Sequence, residues 1–271
     1  MRWLLLFAAV GCGDNLDGPG DGPPPPDVAL DAPRCPGPDE DSDGWPDACD
    51  NCIAEPNPNQ LDVGEINAGQ AADGVGDACD PRPATAGDYL ALVELHDSAG
   101  AYTLFGVTSL PGNGALRLGA LDGAGSATFV SPATMSRIAF AYTVIAASDQ
   151  VQWAGVWTND SGPEALFFES AWDPVDPTAV FRIKELHTTG TDRYSPFATG
   201  PTTFTAGARY RVFADTERVT GGDHRMSVTD LATQTTQSTT LAVQIPRVAR
   251  GYLEARYMIV DFDYMLVYAV Q

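Results

Sequence analysis

The chain has 271 residues, of which 44% are hydrophobic, so it holds enough apolar side chains to bury a core. A formal net charge of −21 with a single lysine, Lys184, argues against nucleic-acid binding, which needs clustered Lys and Arg. The charge favours cations as partners, and the acidic side chains are concentrated in residues 13–83.

Residues 1–12 have the order of an export signal: Arg2 precedes an apolar run from Trp3 to Val10, and Cys12 follows. The run is too short to span a bilayer as a helix. The residues around Cys12 resemble the lipobox of bacterial lipoproteins, in which the signal is removed before the cysteine and the cysteine is acylated. The resemblance implies a membrane-anchored protein of the cell envelope, with the outer membrane as its destination. The alternative is a secretory signal cleaved elsewhere, which leaves Cys12 as a spare thiol.

Residues 13–34 are mainly Gly, Pro and Asp, a composition that predicts a solvated linker, stiffened by its polyproline run. Residues 35–83 follow with four cysteines, many carboxylates and few large apolar side chains. Such a segment cannot fold on a hydrophobic core, so we expect it to depend on disulfides, metal or both.

A twelve-position loop at the start of this segment has the spacing with which a chain wraps a hard cation. Carboxylates stand at positions 1, 3, 5, 9 and 12, namely Asp39, Asp41, Asp43, Asp47 and Asp50. Trp45 at position 7 offers its carbonyl, and Gly44 permits the sharp turn. These groups come close to the six to eight oxygens that Ca²⁺ takes. The loop is not a standard EF-hand, because position 12 is not glutamate and no helices are predicted to flank it.

The wider segment resembles thrombospondin type 3 repeats. The resemblance is carried by Asp47-Ala48-Cys49-Asp50-Asn51-Cys52, by Asn57-Pro58-Asn59-Gln60, and by Asp73-Gly74-Val75-Gly76-Asp77-Ala78-Cys79-Asp80. In that family, Asp-rich loops bind calcium and disulfides connect successive turns. The resemblance implies the pairs Cys35–Cys49 and Cys52–Cys79, whereas four cysteines alone allow three connectivities. Zinc is the rival use of close cysteines, and the carboxylate spacing and the export signal argue against it.

After Gln60 the tight alternation of that family is stretched by inserted residues. We expect a second cation loop here, with ligands from four aspartates, Asp62, Asp73, Asp77 and Asp80. Either Glu65 or Asn67 stands in for the missing position.

From residue 84 onward, short apolar runs alternate with polar residues and are punctuated by Gly, Pro, Asn and Asp. The predicted strands are Tyr89–His96, Tyr102–Val107, Ala115–Leu121, Arg137–Ala147, Val151–Trp157, Ala165–Glu169, Val180–Leu186, Arg209–Ala214, Arg225–Thr229, Thr239–Gln244 and Tyr257–Val270. With no long amphipathic helix and no internal repeat, the pattern predicts a mostly β fold. We expect residues 84–271 to form one antiparallel β-sandwich, a jelly roll, behind the disulfide- and calcium-stabilised irregular segment.

Trp153 and Trp157 share parity on one predicted strand, so they project from the same face of its sheet. Aromatic rings on an open face can stack against sugars, and the alternative is that both tryptophans pack in the core. The stretches 204–212 and 260–264 resemble concanavalin A-like lectin and LamG-type domains. That resemblance implies recognition of glycans or of a surface protein, sometimes with calcium.

The last predicted strand has two faces of different chemistry. One face carries Met258, Val260, Phe262, Tyr264, Leu266 and Tyr268, and the other carries Ile259, Asp261, Asp263, Met265 and Val267. Residues i and i+2 of a strand lie about 6–7 Å apart on one face, so Asp261 and Asp263 can reach one cation or polar ligand. The alternative is an exposed face whose acids are solvated or paired with arginine.

The sequence carries no catalytic signature. The glycosidase pattern E-x-D-x-x-E is absent, as are H-E-x-x-H and G-x-S-x-G. We therefore expect a non-enzymatic, lectin-like binding module on a calcium-stiffened stalk. The alternatives are a structural or adhesive envelope protein and a divergent polysaccharide-active enzyme.

Overall fold

The structure is a computed structural model, which describes residues 35–96, 102–112, 114–158, 164–172, 180–188, 191–196, 198–199, 204–219, 223–242 and 249–270. Within these ranges the only helical elements are a 3₁₀ turn at Asp47–Cys49 and a four-residue helix, α1, at Gly64–Asn67. None of the helices described is long and apolar enough to cross a membrane. Cys12 and the linker 13–34 lie outside the described residues.

Sixteen strands are described. In chain order they are β1 (Asp88–Glu94), β2 (Thr103–Gly106), β3 (Thr108–Ser109), β4 (Leu116–Leu118), β5 (Ala124–Val130), β6 (Met135–Ala147), β7 (Gln152–Thr158), β8 (Ala165–Trp172), β9 (Val180–Leu186), β10 (Arg193–Tyr194), β11 (Ala198–Thr199), β12 (Arg209–Val219), β13 (Asp223–Asp230), β14 (Thr235–Ala242), β15 (Arg250–Arg256) and β16 (Met258–Val270). Their pairings are antiparallel and join them into two eight-stranded sheets.

Sheet A has the order β14-β13-β12-β6-β16-β4-β3, with β1 also paired to β16. Sheet B has the order β10-β9-β8-β7-β15-β5-β2, with β11 paired to β9. The two sheets enclose a core of alternate side chains from facing strands, among them Phe140 and Tyr142 of β6 and Val156 of β7. Burying one such large apolar side chain contributes about 1.5–3 kcal/mol. The predicted antiparallel β-sandwich is confirmed.

Each of the eleven predicted strands overlaps an observed one. The short strands β3, β10 and β11 were not predicted, and neither were two seven-residue strands of sheet B, β5 and β15. Both contain glycine where neighbouring atoms approach closely. A Cβ at Gly125 would lie 2.0 Å from the carbonyl oxygen of Val107, and one at Gly251 would lie 2.3 Å from the ring of Phe129. These glycines fit the packing but weaken the apolar alternation by which a strand is recognised.

The predicted two-faced pattern of β16 is wrong beyond Phe262. Phe262 pairs with Tyr142 and Tyr264 pairs with Ala141, so Asp263 is an extra residue in a β-bulge. The bulge reverses the parity of the strand. As a result Met265 and Val267 join Met258, Val260 and Phe262 in the core between the sheets, whereas Tyr264, Leu266 and Tyr268 lie on the outer face of sheet A.

Residues 35–83 cover this outer face of sheet A. Tyr264, Leu266 and Tyr268, with Ala139 and Ala141 of β6, form a second buried cluster with Cys52, Ile53, Ala54, Val75 and Cys79. Beyond Asp263, β16 is therefore apolar and buried on both faces. The acidic segment packs flat on the sandwich and is not the stalk that the sequence suggested.

Arginines of sheet A bind residues 35–83 through hydrogen bonds and an ion pair. Arg211 donates to the carbonyl oxygen of Ala54 at 2.9 Å and forms an ion pair with Glu55 at 3.0 Å. Arg137 is held by Asp215 and donates to the carbonyl oxygen of Cys79. Because the side chain of Arg211 is only 10% exposed, its hydrogen bonds operate at low dielectric, where they are strong.

Candidate functional site: acidic clusters and an outward aromatic face

Two disulfides shape the acidic segment. The structure pairs Cys35 with Cys49 and Cys52 with Cys79, as the resemblance to thrombospondin type 3 repeats implies. The first bond closes the Asp39–Asp50 loop on itself. The second lies in the buried cluster against sheet A, and it fixes the region of the second loop to the first.

The first acidic cluster lies in the predicted twelve-position loop. Asp39, Asp41 and Asp43 each place a carboxylate oxygen within 4.8 Å of the other two. The loop closes around them because Asp43 and Gly44 donate their N–H groups to Asp39 at 3.1–3.2 Å. Gly44 has φ of +101°, which glycine adopts without strain, and this allows the sharp turn.

The structure does not bring the other predicted carboxylates of this loop, Asp47 and Asp50, into the group of ligand atoms within 4.8 Å. Asp47 and Asp50 each use one oxygen on a local N–H, from Glu40 and Cys52, and each keeps a second oxygen buried without a partner among the described residues. The N–H of Trp45 donates to Asp43 and its indole N–H to the carbonyl oxygen of Pro58.

Burial and mutual repulsion of these acids perturb their protonation. The pKa of Asp41 is raised to about 7, first by desolvation and then by the charges of Asp43 and Asp50. Burial also raises the pKa of Asp47 and of Asp50. The loop therefore favours either protons or a cation.

The second acidic cluster gathers all four predicted aspartates around Glu65. Asp62, Glu65 and Asp77 form one group with ligand atoms within 4.8 Å, and Glu65, Asp73 and Asp80 form another. Glu65 is 0% exposed, and neither of its carboxylate oxygens has a hydrogen-bond partner among the described residues. Of the two stand-ins left open by the sequence, the structure selects Glu65, because Asn67 points to solvent.

The donor set fits a divalent cation of the calcium type. Its free buried oxygens belong to carboxylates, the ligands that Ca²⁺ prefers, and their spacing matches two Ca–O bonds of about 2.3–2.6 Å. Desolvation, with the neighbouring acids, raises the pKa of Asp80 to about 8, so the cluster resists holding its negative charge unaided. Carboxylates buried this closely need protons or a cation between them.

Asp261 and Asp263 are not brought together as a free pair. Asp261 is 4% exposed and receives two hydrogen bonds from Arg117, at 2.6 and 2.7 Å. Asp263 accepts from Arg209 at 2.8 Å, and Arg209 also binds Glu40 of the acidic segment. These two acids thus form ion pairs on the face of sheet A that the segment covers, as in the arginine-paired alternative.

Trp153 and Trp157 point away from the core. Ala154 and Val156, which alternate with them on β7, are buried between the sheets. The tryptophans therefore lie on the outer face of sheet B, where each remains partly exposed. Core packing, the alternative left open by the sequence, is wrong for both residues.

The two tryptophans differ in what their rings can offer. Trp157 stacks between Tyr252, with centroids 3.7 Å apart and planes at 6°, and Phe167, with centroids 5.6 Å apart. Its two faces are occupied by these neighbours, and its indole N–H donates to Glu254 at 3.0 Å. Trp153 meets Phe167 edge-on, with planes at 79°, and no ring of the described residues stacks on it in parallel.

Charged groups surround this outward aromatic cluster, which comprises Trp153, Trp157, Phe167, Tyr194 and Tyr252. Glu254 and Glu169 flank Gly155 on the two neighbouring strands. Glu169 forms an ion pair with Arg182, and burial raises the pKa of Glu254. At the far end Lys184 lies 5.6 Å from the ring centroids of Phe167 and Tyr194. The face thus combines rings, two carboxylates and cations within a few strands.

Tyr252 and Glu254 were missed by the sequence analysis because β15 was not recognised as a strand. The signal was present in their parity: they alternate with Leu253 and Ala255, which the core buries. Their proximity to Trp157 follows only from the pairing of β15 with β7.

Comparison with known proteins shows the fold alone. The chain matches no protein-family model and no curated protein. It is similar to the CBM2 module of the evolved Dit protein of Lactobacillus casei BL23 phage J-1, with 11% identity and a TM-score of 0.52. That alignment covers 68% of this chain and 96% of the module.

Weaker similarities have TM-scores of 0.46. One is to the calcium- and Man2-bound exoplasmic/lumenal domain of VIP36, at 11% identity over 65% of this chain and 86% of that domain. Another is to a protein from work on endo-acting O-glycanases of the human gut microbiota, at 9% identity over 68% of this chain and all of that one. The chain therefore shares its β-sandwich fold with the CBM2 module.

Proposed function

We propose that this chain is an exported, calcium-stabilised carbohydrate-binding module that recognises glycans through the outward aromatic cluster of sheet B. One observation carries the proposal: the aromatic cluster lies on the outer face of sheet B, turned away from the core. Monomeric proteins seldom gather large apolar side chains on an outer face without a binding role. The proposal concerns binding and assigns no catalytic residue.

Ring chemistry and hydrogen-bonding groups lie together on this face, as glycan recognition requires. Sugars combine apolar C–H faces with hydroxyl groups, so rings and carboxylates side by side complement them. Trp153 offers a ring that no described ring stacks on in parallel, and Glu254, which accepts from Trp157 and pairs across strands with Gly155, offers a carboxylate on the same face. Similarity in fold to a CBM2 module supports the proposal.

The test is a glycan array probed with the chain carrying Cys12→Ser, so that it is not acylated, with and without calcium. Residues 35–83 are retained because they cover sheet A. We expect binding that Trp153→Ala weakens at least tenfold, a loss of about 1.4 kcal/mol. Leu121→Ala, which alters an exposed side chain between β4 and β5, is the matched control and should bind as the parent does. If no glycan on the array binds the parent, the structural or adhesive alternative replaces this proposal.

We further propose that the acidic clusters bind structural calcium. The free buried oxygens of Asp41, Asp50, Glu65 and Asp80 support this role, since a cation resolves their repulsion. The disulfide-intact chain is first freed of bound metal with a chelator. Isothermal titration calorimetry should then show calcium binding with a Kd of about 10⁻⁴ M or tighter. Absence of heat, together with unchanged circular dichroism, would exclude structural calcium.

The envelope location is likewise proposed from the sequence. The export signal and Cys12 predict a lipid anchor, and labelling with a palmitate analogue in a bacterial host tests it. We expect incorporation that Cys12→Ser abolishes, with the protein moving from the membrane fraction to the soluble exported fraction. Equal labelling of both forms would contradict the anchor.

A further inference from the structure

Glu65 is the buried centre of the second acidic cluster and belongs to two ligand groups at once. It is shared by the group with Asp62 and Asp77 and by the group with Asp73 and Asp80. Both of its oxygens are buried and have no hydrogen-bond partner among the described residues. A fully buried carboxylate with two free oxygens is expensive unless each oxygen meets a positive charge.

The chain holds Glu65 in this position by local contacts. Val63 and Gly64 donate their N–H groups to one oxygen of Asp77, at 3.1 and 3.0 Å, which anchors the start of α1. A Cβ at residue 64 would lie 1.7 Å from the carbonyl oxygen of Pro83, so only glycine permits this approach. The helix therefore sits where Glu65 must point inward.

Each of the two groups around Glu65 contains an aspartate with a free buried oxygen. Asp62 uses one oxygen on the N–H of Gly74 and leaves the other free, while Asp80 uses one on the N–H of Arg82 and leaves the other free. Each free aspartate oxygen thus belongs to a different group around Glu65. Each of the two groups can therefore take its own cation.

The formal charge of the cluster also favours two cations over one. The cluster contains five carboxylates, Asp62, Glu65, Asp73, Asp77 and Asp80, so its formal charge is −5 when all are ionised. One divalent cation leaves −3 in a site whose centre is excluded from water, whereas two leave −1. Two cations satisfy the buried charge far better than one.

We propose that Glu65 bridges two calcium ions, an outer ion with Asp62 and Asp77 and an inner ion with Asp73 and Asp80. This inference rests on the proposed calcium binding and specifies its arrangement. The inner ion is also a joint between the acidic segment and the sandwich. Asp73 accepts the N–H groups of Gly87 and Asp88, at 3.0 and 2.8 Å, and β1 begins at Asp88. An ion on Asp73 therefore fixes the start of the strand that pairs with β16.

Native mass spectrometry of the disulfide-intact chain in calcium tests the bridge by counting bound ions. Relative to the parent, Asp62→Ala and Asp80→Ala should each lose one ion, and Glu65→Ala should lose two. Asn67→Ala, on the exposed side of the same helix, should lose none. Loss of only one ion from Glu65→Ala, with the other counts unchanged, would overturn the bridge and leave a single-ion site.

Two further measurements keep the outcomes distinct. If Glu65→Ala fails to fold, the double variant Asp62→Ala/Asp80→Ala decides: loss of two ions supports two sites, and loss of one overturns them. Thermal unfolding followed by tryptophan fluorescence should show a larger calcium-dependent loss for Asp80→Ala than for Asp62→Ala, because only the inner ion is tied to β1. A parent chain that binds no calcium would instead refute the proposed calcium function itself.

Discussion

The two outer faces of this sandwich differ in their exposure to solvent. The outer face of sheet A is closed by residues 35–83, whose apolar side chains pack on Tyr264, Leu266 and Tyr268. The outer face of sheet B keeps Trp153 and Trp157 partly exposed, beside charged side chains. A covered face and an open face require different side chains, which is why β16 is apolar on both faces beyond Asp263, whereas β7 alternates between core and outward side chains.

The difference separates stability from recognition. A segment poor in large apolar residues completes the covered face, so it must be stiffened by disulfides and, as we propose, by cations. The open face needs no such cover, because its rings pack on one another and its carboxylates are paired or hydrogen-bonded. Changes to the covered face should therefore alter unfolding first, and changes to the open face should alter binding first.

The largest expected effect is that of calcium removal on the covered face. At a calcium concentration 100 times Kd, each ion stabilises the folded chain by about 2.7 kcal/mol. For a domain of this size that corresponds to roughly 5–10 °C in Tm for each ion. Differential scanning calorimetry in calcium and in chelator, with calcium restored as the control, measures the effect. An unchanged Tm would show that the covered face does not depend on cations.

Arg211→Ala tests the polar fastening of the same face. The substitution leaves the carbonyl oxygen of Ala54 and the carboxylate of Glu55 without their donor, so we expect a loss of about 2–3 kcal/mol in the free energy of unfolding. Urea unfolding measures it. Arg250→Ala, at an exposed position of β15, should change stability by less than about 0.5 kcal/mol. Equal effects of the two would mean that the arginine contacts do not hold the segment.

The open face is tested by comparing alanine substitutions of its two tryptophans. Trp157→Ala removes the ring that stacks on both Phe167 and Tyr252, and it removes the hydrogen bond to Glu254. We therefore expect it to lower the free energy of unfolding by about 2 kcal/mol. Trp153→Ala removes one edge-on contact and should cost about 1 kcal/mol. Glycan affinity should fall more for Trp153→Ala after correction for the folded fraction. The reverse ranking in binding would place the ligand on the stacked rings.

The smallest expected effect is the pH dependence of the calcium-free chain. Burial raises the pKa of Asp80 to about 8 and that of Asp41 to about 7, so the folded state binds more protons than the unfolded state above about pH 4. Stability without calcium is therefore highest at low pH and is lost as pH rises toward 8. We expect Tm in chelator to fall by a few degrees between pH 5 and pH 8. A rise in Tm over that interval would contradict the desolvation and mutual repulsion assigned to the acidic clusters.

Much of this fold could be predicted because its strands alternate clearly and its cation loops are local. Asp39, Asp41 and Asp43 lie within five residues, so their convergence follows from spacing alone. Trp153 and Trp157 share a face because two residues of one strand separated by four positions must do so. Whether they point outward or into the core could not be read from the sequence, because aromatic side chains occur both in cores and on binding faces.

The remainder depends on contacts between distant parts of the chain. The bulge at Asp263 reverses a parity that the sequence presents as unbroken. The docking of Cys52 and Cys79 on β16 is set by sheet A, which no local pattern announces. Glu65 was one of two alternatives because only its burial, fixed by Asp77 and Pro83, distinguishes it from Asn67.

The central place of β16 has a consequence for the order of folding. β16 pairs with β6, β4 and β1, and its partner at one end, Asp88, is 182 residues before Val270 (270 − 88). Sheet A therefore closes only after almost the whole described chain has been brought together, and loop-closure entropy must be overcome first. Such high contact order predicts slow folding, with the outer edges of both sheets exposed in the interval. A disulfide-linked acidic segment, folded early from local contacts, would offer the late strand a surface on which to assemble.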